Sequence, residues 1–367
     1  MNPTKNRAKR PAHPHLTPVT EKSVPPNLGL VKPFTENMSL AVIGDQITEN
    51  FKIPGDLARQ FLKDSNSRGN LNSKIVKPWV NGLELTHRAS DTWVIDFVWV
   101  PEKMVSHYET PFAYLRENVF NHTTKAVTAT SEWWLKPRPN HKMRYALKGL
   151  KRFIVTPRIS KHRVFLWCKS SVLPDSTVVI ISRSDDASMG ILQSRFHELW
   201  SLRLGSTRGN RHRYYPTISF ETFPFPEGLS PDSPSKNCTN PNTKAVANAA
   251  KRLYKLRENW LNPPEWIDRV PEVVHGFPDR IQAKPGYEKD LKQRTLTDLY
   301  NHCPTWLAKA HMELDKAVAI AYGWNDYTPE MTDKELFQRL FELNCTRIAD
   351  RYATLIGKAK SLLQPSY

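Results

Sequence analysis

Apolar residues follow two different periods along the chain. From Leu28 to Pro226 they gather in short runs rich in β-branched and aromatic side chains: Trp93 to Trp99, Phe153 to Pro157, Val164 to Trp167 and Thr177 to Ile181. Runs of this length and composition predict strands. Val76 to Leu83 reads as extended chain closed by an Asn81-Gly82 turn, and Thr217 to Phe223 as a further extended piece ending at Pro224-Phe225-Pro226. Helical spacing is predicted for a short segment after Pro54-Gly55, for Glu109 to Val119, and for Met189 to Leu204, which carries Ile191, Leu192, Phe196, Leu199 and Trp200 on one face.

Beyond a Pro/Ser/Asn-rich linker at residues 227–242 the period becomes helical. Val246, Ala249, Leu253, Leu256 and Trp260 form one stripe. Pro304 starts a second helix that stops at Gly323, and Thr332-Asp333-Lys334-Glu335 is a capping box before Leu336, Phe337, Leu340 and Phe341. The predicted fold class is α+β: a mixed α/β domain over residues 28–226, then a smaller all-α domain over 243–367. Residues 1–27, rich in Pro, Lys, Arg and Thr, are predicted to be a disordered basic arm.

Charge narrows the function. The chain of 367 residues is 39% hydrophobic, enough for sizeable cores, and carries a formal charge of +17. A balance this basic points to a polyanion, of which nucleic acid is the commonest. Residues 1–232 hold 33 Lys/Arg against 20 Asp/Glu, and the remainder 20 against 16, which places the polyanion surface in the first part. Cys168, Cys238, Cys303 and Cys345 are scattered, with no CxxC spacing for metal or redox chemistry. The N-terminus has no apolar run of the signal-peptide kind, and nothing approaches a membrane span. A cytoplasmic, nucleoid-associated protein is expected.

Two segments carry candidate contacts. Trp133 to Pro174 contains no Asp or Glu. Its Lys136, Arg138, Lys142, Arg144, Lys151, Arg152, Arg158, Lys161 and Arg163 alternate with aromatic anchors, and these cations are the predicted phosphate ligands. An acid-free folded stretch of this length repels itself unless a counter-charge arrives from outside. The second segment runs from Arg203 to Tyr215; its two glycines and short polar residues predict a loop. Arg and Asn pair best with guanine and adenine edges, so Arg203, Arg208, Asn210, Arg211 and Arg213 are the predicted base readers.

Several chemistries lack their residues. No GxG occurs, although a bound S-adenosylmethionine normally needs a glycine-rich turn. Asn262-Pro263-Pro264-Glu265 imitates the Asp/Asn-Pro-Pro-aromatic tetrapeptide of amino-group methyltransferases but lacks its aromatic, and it reads as a helix stop. Asp185 and Asp186 predict a turn before a helix. His197 and His311, at helical positions beside Trp200 and Leu314, read as structural histidines.

A series of segments, in order, resembles the C-terminal half of large bacterial site-specific adenine DNA methyltransferases of the MmeI-like type II restriction–modification kind and their relatives in phage defence. They are Phe51-Lys52-Ile53-Pro54-Gly55-Asp56-Leu57-Ala58, Val76-Lys77-Pro78-Trp79-Val80-Asn81-Gly82-Leu83, Trp93-Val94-Ile95-Asp96-Phe97, Tyr108-Glu109-Thr110-Pro111-Phe112, Trp133-Trp134 and Thr156 to Arg163. Gly190 to Trp200, Phe220 to Pro226, Thr295 to Asn301 and Ala321-Tyr322-Gly323-Trp324 complete the series. The resemblance implies a target-recognition domain with a helical tail, and base recognition by the loop between His197/Trp200 and Tyr214. In that family the nuclease, cofactor-binding and catalytic segments come earlier. The implied partners are therefore double-stranded DNA and a separate methyltransferase chain that binds S-adenosylmethionine, with no cofactor, metal or catalytic residue in this one. The competing reading is a stand-alone nuclease or methyltransferase, with Asp175, Asp185, Asp186 and Glu198 as its acids; an inactive truncated product is a third.

Overall fold

In chain order the strands are β1 (Ala41–Ile43), β2 (Lys52–Pro54), β3 (Val76–Val80), β4 (Thr92–Ile95), β5 (Arg152–Pro157), β6 (Ile159–Ser160), β7 (Leu166–Lys169), β8 (Leu173–Pro174), β9 (Val178–Ile181), β10 (Ser206–Arg208), β11 (Arg211–Arg213), β12 (Ile267–Val270) and β13 (Arg280–Ala283). The helices are α1 (Gly55–Lys63), α2 (Glu102–Val105), α3 (Glu109–Asn118), α4 (His141–Ala146), α5 (Asp186–Gln193), α6 (Arg195–Leu204), α7 (Pro241–Leu261), α8 (Glu288–Gln293), α9 (Leu296–His302), α10 (Thr305–Ala321) and α11 (Asp333–Leu362). The computed structural model describes residues 27–120, 132–136, 138–231 and 240–362. The predicted disordered arm, apart from Asn27, and the middle of the linker, 232–239, lie outside the described residues.

The middle layer is the antiparallel sheet β1-β9-β5-β7. Its inner strands are buried on both faces, and the two-residue side-chain period deals them to two cores. Ile154, Val179 and Ile181 face one core; Phe153, Val155, Val178 and Ile180 face the other. The second core is closed by the sheet β2-β4-β3-β8, whose Trp93, Val94 and Ile95 are buried, together with α1 to α3. The first is closed by helices. Gly190 of α5 lies so close to α7 that an added Cβ would sit 2.8 Å from a Val246 methyl group, and α10 and α11 complete the layer through Leu314, Val318, Leu336 and Leu340. The helices beyond residue 243 therefore share a core with the mixed region before the linker. The α+β class stands.

Four local expectations change. The strand over 93–99 ends at Ile95, because the Asp96 carboxylate leaves the ladder for a buried ion network and Trp99 turns to a left-handed φ of 72°. The helix over 189–204 is two helices broken at Ser194, which is extended at ψ 159°. Its hydroxyl donates to the Ile191 carbonyl at 2.6 Å, and the Arg195 N–H that opens α6 donates to Asp315 Oδ1 at 2.8 Å. Residues 216–220 coil instead of extending: Pro216 fixes φ, and Glu221 N–H donates back to its carbonyl at 3.0 Å. The second part is not all helix, since β12 and β13 form a hairpin inside it. Thr332 caps α11 as the sequence predicts, whereas the predicted turn at Asp185-Asp186 is the start of α5, with Asp185 as its cap.

Buried Asp315 on α10 and half-buried Glu198 on α6 lie near one another. Burial first, then the Asp315 charge, pushes the Glu198 carboxyl up to about 7; burial likewise pushes Asp315 up to about 7. A carboxyl raised in the folded state holds its proton better there than in the unfolded chain. The stability it contributes is full below the unfolded value near 4.5 and is lost as pH rises through about 7. Glu198→Gln is accordingly expected to raise the unfolding free energy from urea titration by about 1–2 kcal/mol at about pH 8, and to leave it unchanged at about pH 4.

Candidate nucleic-acid interface

The segment predicted to be a loop is a hairpin. Ser206, Thr207 and Arg208 pair with Arg213, His212 and Arg211, and β11 continues the pairing onto β6 through His212–Ser160 and Arg213–Ile159. Gly209 takes the first turn position at φ 64°, which a two-residue hairpin turn of this hand requires, and Asn210 takes the second. The polar composition of the strands hid them from the sequence reading. Alternation puts Arg208, Arg211 and Arg213 on one face with Ser206, and Thr207 and His212 on the other. Arg208 and Arg211 are direct cross-strand neighbours. Like charges so placed destabilise a hairpin, and an incoming anion or base edge removes that cost.

The base of the hairpin is held rigidly. At the α6–β10 junction only glycine fits at 205: an added Cβ would lie 2.6 Å from the Ser201 carbonyl oxygen and 2.7 Å from that of Arg213. Tyr214, fully buried behind β11, is bonded through its hydroxyl to His197 Nε2 at 2.8 Å. Burial and the nearby Arg163 hold His197 down to about 3, so it is a neutral imidazole at any physiological pH. Tyr214→Phe removes that bond and strands a buried ring nitrogen, at an expected cost of about 1–3 kcal/mol measured by urea unfolding.

Beside the hairpin lies a groove of about 850 Å³. Arg211, Arg213 and Asn210 line it from the hairpin, Arg158 and Lys161 from the β5–β6 region, and Leu296 and Thr297 from α9. The Arg213 Nε and His212 Nδ1 atoms are buried and have no hydrogen-bond partner within the protein. Burial and Arg213 lower the Arg158 guanidinium pKa. Lys161 donates to Asn301 Oδ1 at 2.5 Å from an exposed position. Sequence reasoning missed other lining residues, among them Lys52 with its ammonium 4.1 Å from the Trp79 ring centre, and Asn81 and His87 after β3. Lys52 and Trp79 lie 27 positions apart and Asn81 reads as turn chemistry, so no local pattern marks them. Glu49 and Asp175 also line the groove, so its charge is mixed.

The nine predicted phosphate ligands separate. Arg158 and Lys161 reach the groove. Arg138, Lys142 and Lys151 are exposed elsewhere. The phosphate assignment does not hold for Lys136, Arg144 and Arg163. Lys136 is buried, with its ammonium 2.5 Å from Asp45 and 3.3 Å from Asp96. Arg144 bridges the same two carboxylates at 2.6 and 2.7 Å. Arg163, 4% exposed, donates to Thr156 Oγ1 and to the carbonyls of Pro157 and His212, bracing the hairpin from beneath. Arg152 lies 3.7 Å over the Trp167 ring and pairs with Asp186. The counter-charge that the acid-free stretch lacks comes from Asp45 and Asp96, far back in the chain. Of the predicted base readers, Arg208 is exposed on the hairpin, while Arg203 stays on α6 with its guanidinium 5.8 Å from the Phe337 ring.

The candidate acids have structural bonds. Asp175 Oδ1 accepts from Thr177 N–H, Asp185 caps α5, Asp186 pairs with Arg152 and Lys251, and Glu198 is half-buried beside Asp315. Among the described residues no three His, Cys, Asp or Glu gather as a metal site, and no helix is long and apolar enough to cross a membrane. Asn262 is the cap of α7: its carboxamide oxygen accepts from Arg88 at 2.6 Å and its nitrogen donates to Glu258 at 2.9 Å.

Residues 60–227 match the family model described as the target recognition domain of MmeI. Among solved structures, the chain is similar to the type IIL restriction–modification enzyme MmeI in complex with DNA, at 18% identity and a TM-score of 0.54. That match covers 84% of this chain and 35% of the enzyme, so the chain spans about a third of its length. No curated protein sequence matches the chain.

Proposed function

We infer, from a chain whose residues 60–227 form a target-recognition domain of the MmeI family, that this protein binds double-stranded DNA and reads a specific sequence in it as the specificity part of a restriction–modification system. The observation that carries this reading is the rigid Arg208/Arg211/Arg213 face beside a groove that also holds Arg158 and Lys161. A two-stranded ribbon fits the major groove, where arginine pairs with guanine and asparagine with adenine. Arg211, Arg213 and Asn210 read base edges, with Arg208 beside them at the exposed tip. Arg158, Lys161 and the exposed Lys151 contact phosphates and fix the register.

The residues present do not fit S-adenosylmethionine. Among the described residues no glycine-rich turn follows a strand, and the one Asn-Pro-Pro sequence spends its amide on Arg88 and Glu258. We therefore assign methyl transfer to the N6 of a flipped adenine to a separate methyltransferase polypeptide that carries the methyl donor, in the bacterial cytoplasm, as part of defence against phage.

Salt titration of binding to a duplex tests this. Affinity should fall steeply with salt, as counterion release requires, and Arg158→Ala or Lys161→Ala should each reduce the slope by about 1. Lys136→Met should leave the slope as it is. A salt-independent affinity, or an equal effect of all three changes, contradicts the reading.

A further inference from the structure

A second surface, away from the hairpin, carries aromatic rings that the groove does not use. Trp99 and Tyr145 are 53% and 66% exposed, with ring centres 5.3 Å apart. Trp99 is held at a left-handed φ of 72°, a conformation that costs a bulky side chain energy and calls for a compensating role. Arg138, at φ 55°, is a second left-handed residue, and the two line one cleft with His141. The indole N–H donates to His141 Nδ1 at 3.2 Å, which fixes the ring. The helix α4 beneath is anchored: Asn140 donates to Asp45 Oδ1 and to the Ile43 carbonyl, and Arg144 is locked between Asp45 and Asp96. The rings are thus presented on a stiff support with exposed Lys142 and Lys148 beside them; Glu132 is the acid in the cleft.

We propose that the Trp99–Tyr145 platform is a second nucleic-acid site that stacks an unpaired nucleobase, with Arg138, Lys142 and Lys148 on the adjoining phosphates. Flat rings flanked by cations suit unpaired strands, because every base has a face to stack while duplex bases are already stacked. A protein partner with an apolar face would bury these three cations without counter-charge, whereas a phosphodiester chain supplies one at each step. The site is independent of the groove reading and would serve DNA opened beside the recognised sequence.

The test uses the whole chain, a labelled oligothymidine of about 12 nucleotides, and a blunt duplex. The paired change Trp99→Asn with Tyr145→Ala keeps a residue that tolerates the left-handed backbone at 99. It should lower oligothymidine affinity about tenfold or more and leave duplex affinity unchanged. Arg158→Ala, which removes a groove phosphate contact, should do the reverse, weakening the duplex only. If the paired variant binds oligothymidine as the unmodified chain does, the proposal is overturned while the groove reading stands. If it instead loses association with a methyltransferase subunit at unchanged oligothymidine affinity, the platform is a protein-docking face, and the proposal falls too.

Discussion

Asp45→Asn should destabilise the protein by about 3–5 kcal/mol, because it leaves two buried cations facing one carboxylate. Asp45 is wholly buried, and its two oxygens take Lys136 Nζ at 2.5 Å, Arg144 at 2.6 Å and the Asn140 backbone N–H at 3.0 Å. Asp96 alone cannot balance Lys136 and Arg144, and among the described residues no other carboxylate pairs with either. Burying an unpaired cation costs far more than the ion pair itself stabilises. The control follows from the same asymmetry. Lys136→Met added to Asp45→Asn removes the surplus cation and should recover more than 1 kcal/mol of the loss. Urea unfolding at constant slope measures both. A loss below about 1 kcal/mol for the single change, or no recovery in the double, would show that the cluster is hydrated rather than sealed. The hub links β1, the end of β4 and α4, so its loss should also loosen the platform above it.

Arg211→Ala should separate stability from recognition. In the free protein it removes a like-charge pair with Arg208 and should leave stability equal or raise it by about 0.2–1 kcal/mol. On DNA it should cost about 1–3 kcal/mol at the preferred sequence and relax discrimination at one base pair, with little change in the affinity for unrelated duplex. A residue with a purely structural role would show the opposite signs. Arg163 provides that contrast: it is buried and braces β11 through the His212 carbonyl, so Arg163→Ala should lower stability and recognition together.

The parts of the fold that depend on local pattern were legible in the sequence. The β-branched runs became β5 and β9, the apolar stripe from Val246 became α7, and the capping residue Thr332 caps its helix. Pattern failed where a distant group decided the outcome. Lys136 looks like a surface cation because its partners lie 91 and 40 positions earlier, at Asp45 and Asp96. The α5–α6 break at Ser194 depends on Asp315, 120 positions away from Arg195. The hairpin reads as a loop in the sequence, since Ser, Thr, His and Arg carry no apolar alternation and their pairing is set by β6 and by the buried Tyr214. The groove itself assembles residues from six separated segments, which no single stretch of sequence could reveal.

The most direct measurement is selection from a pool of random duplexes by the purified chain, run beside the Arg211→Ala variant. One short sequence should be enriched by the unmodified chain, and the variant should lose the preference at one position of it. Retention of DNA without enrichment, or the same enriched sequence from both proteins, would contradict base reading by this hairpin.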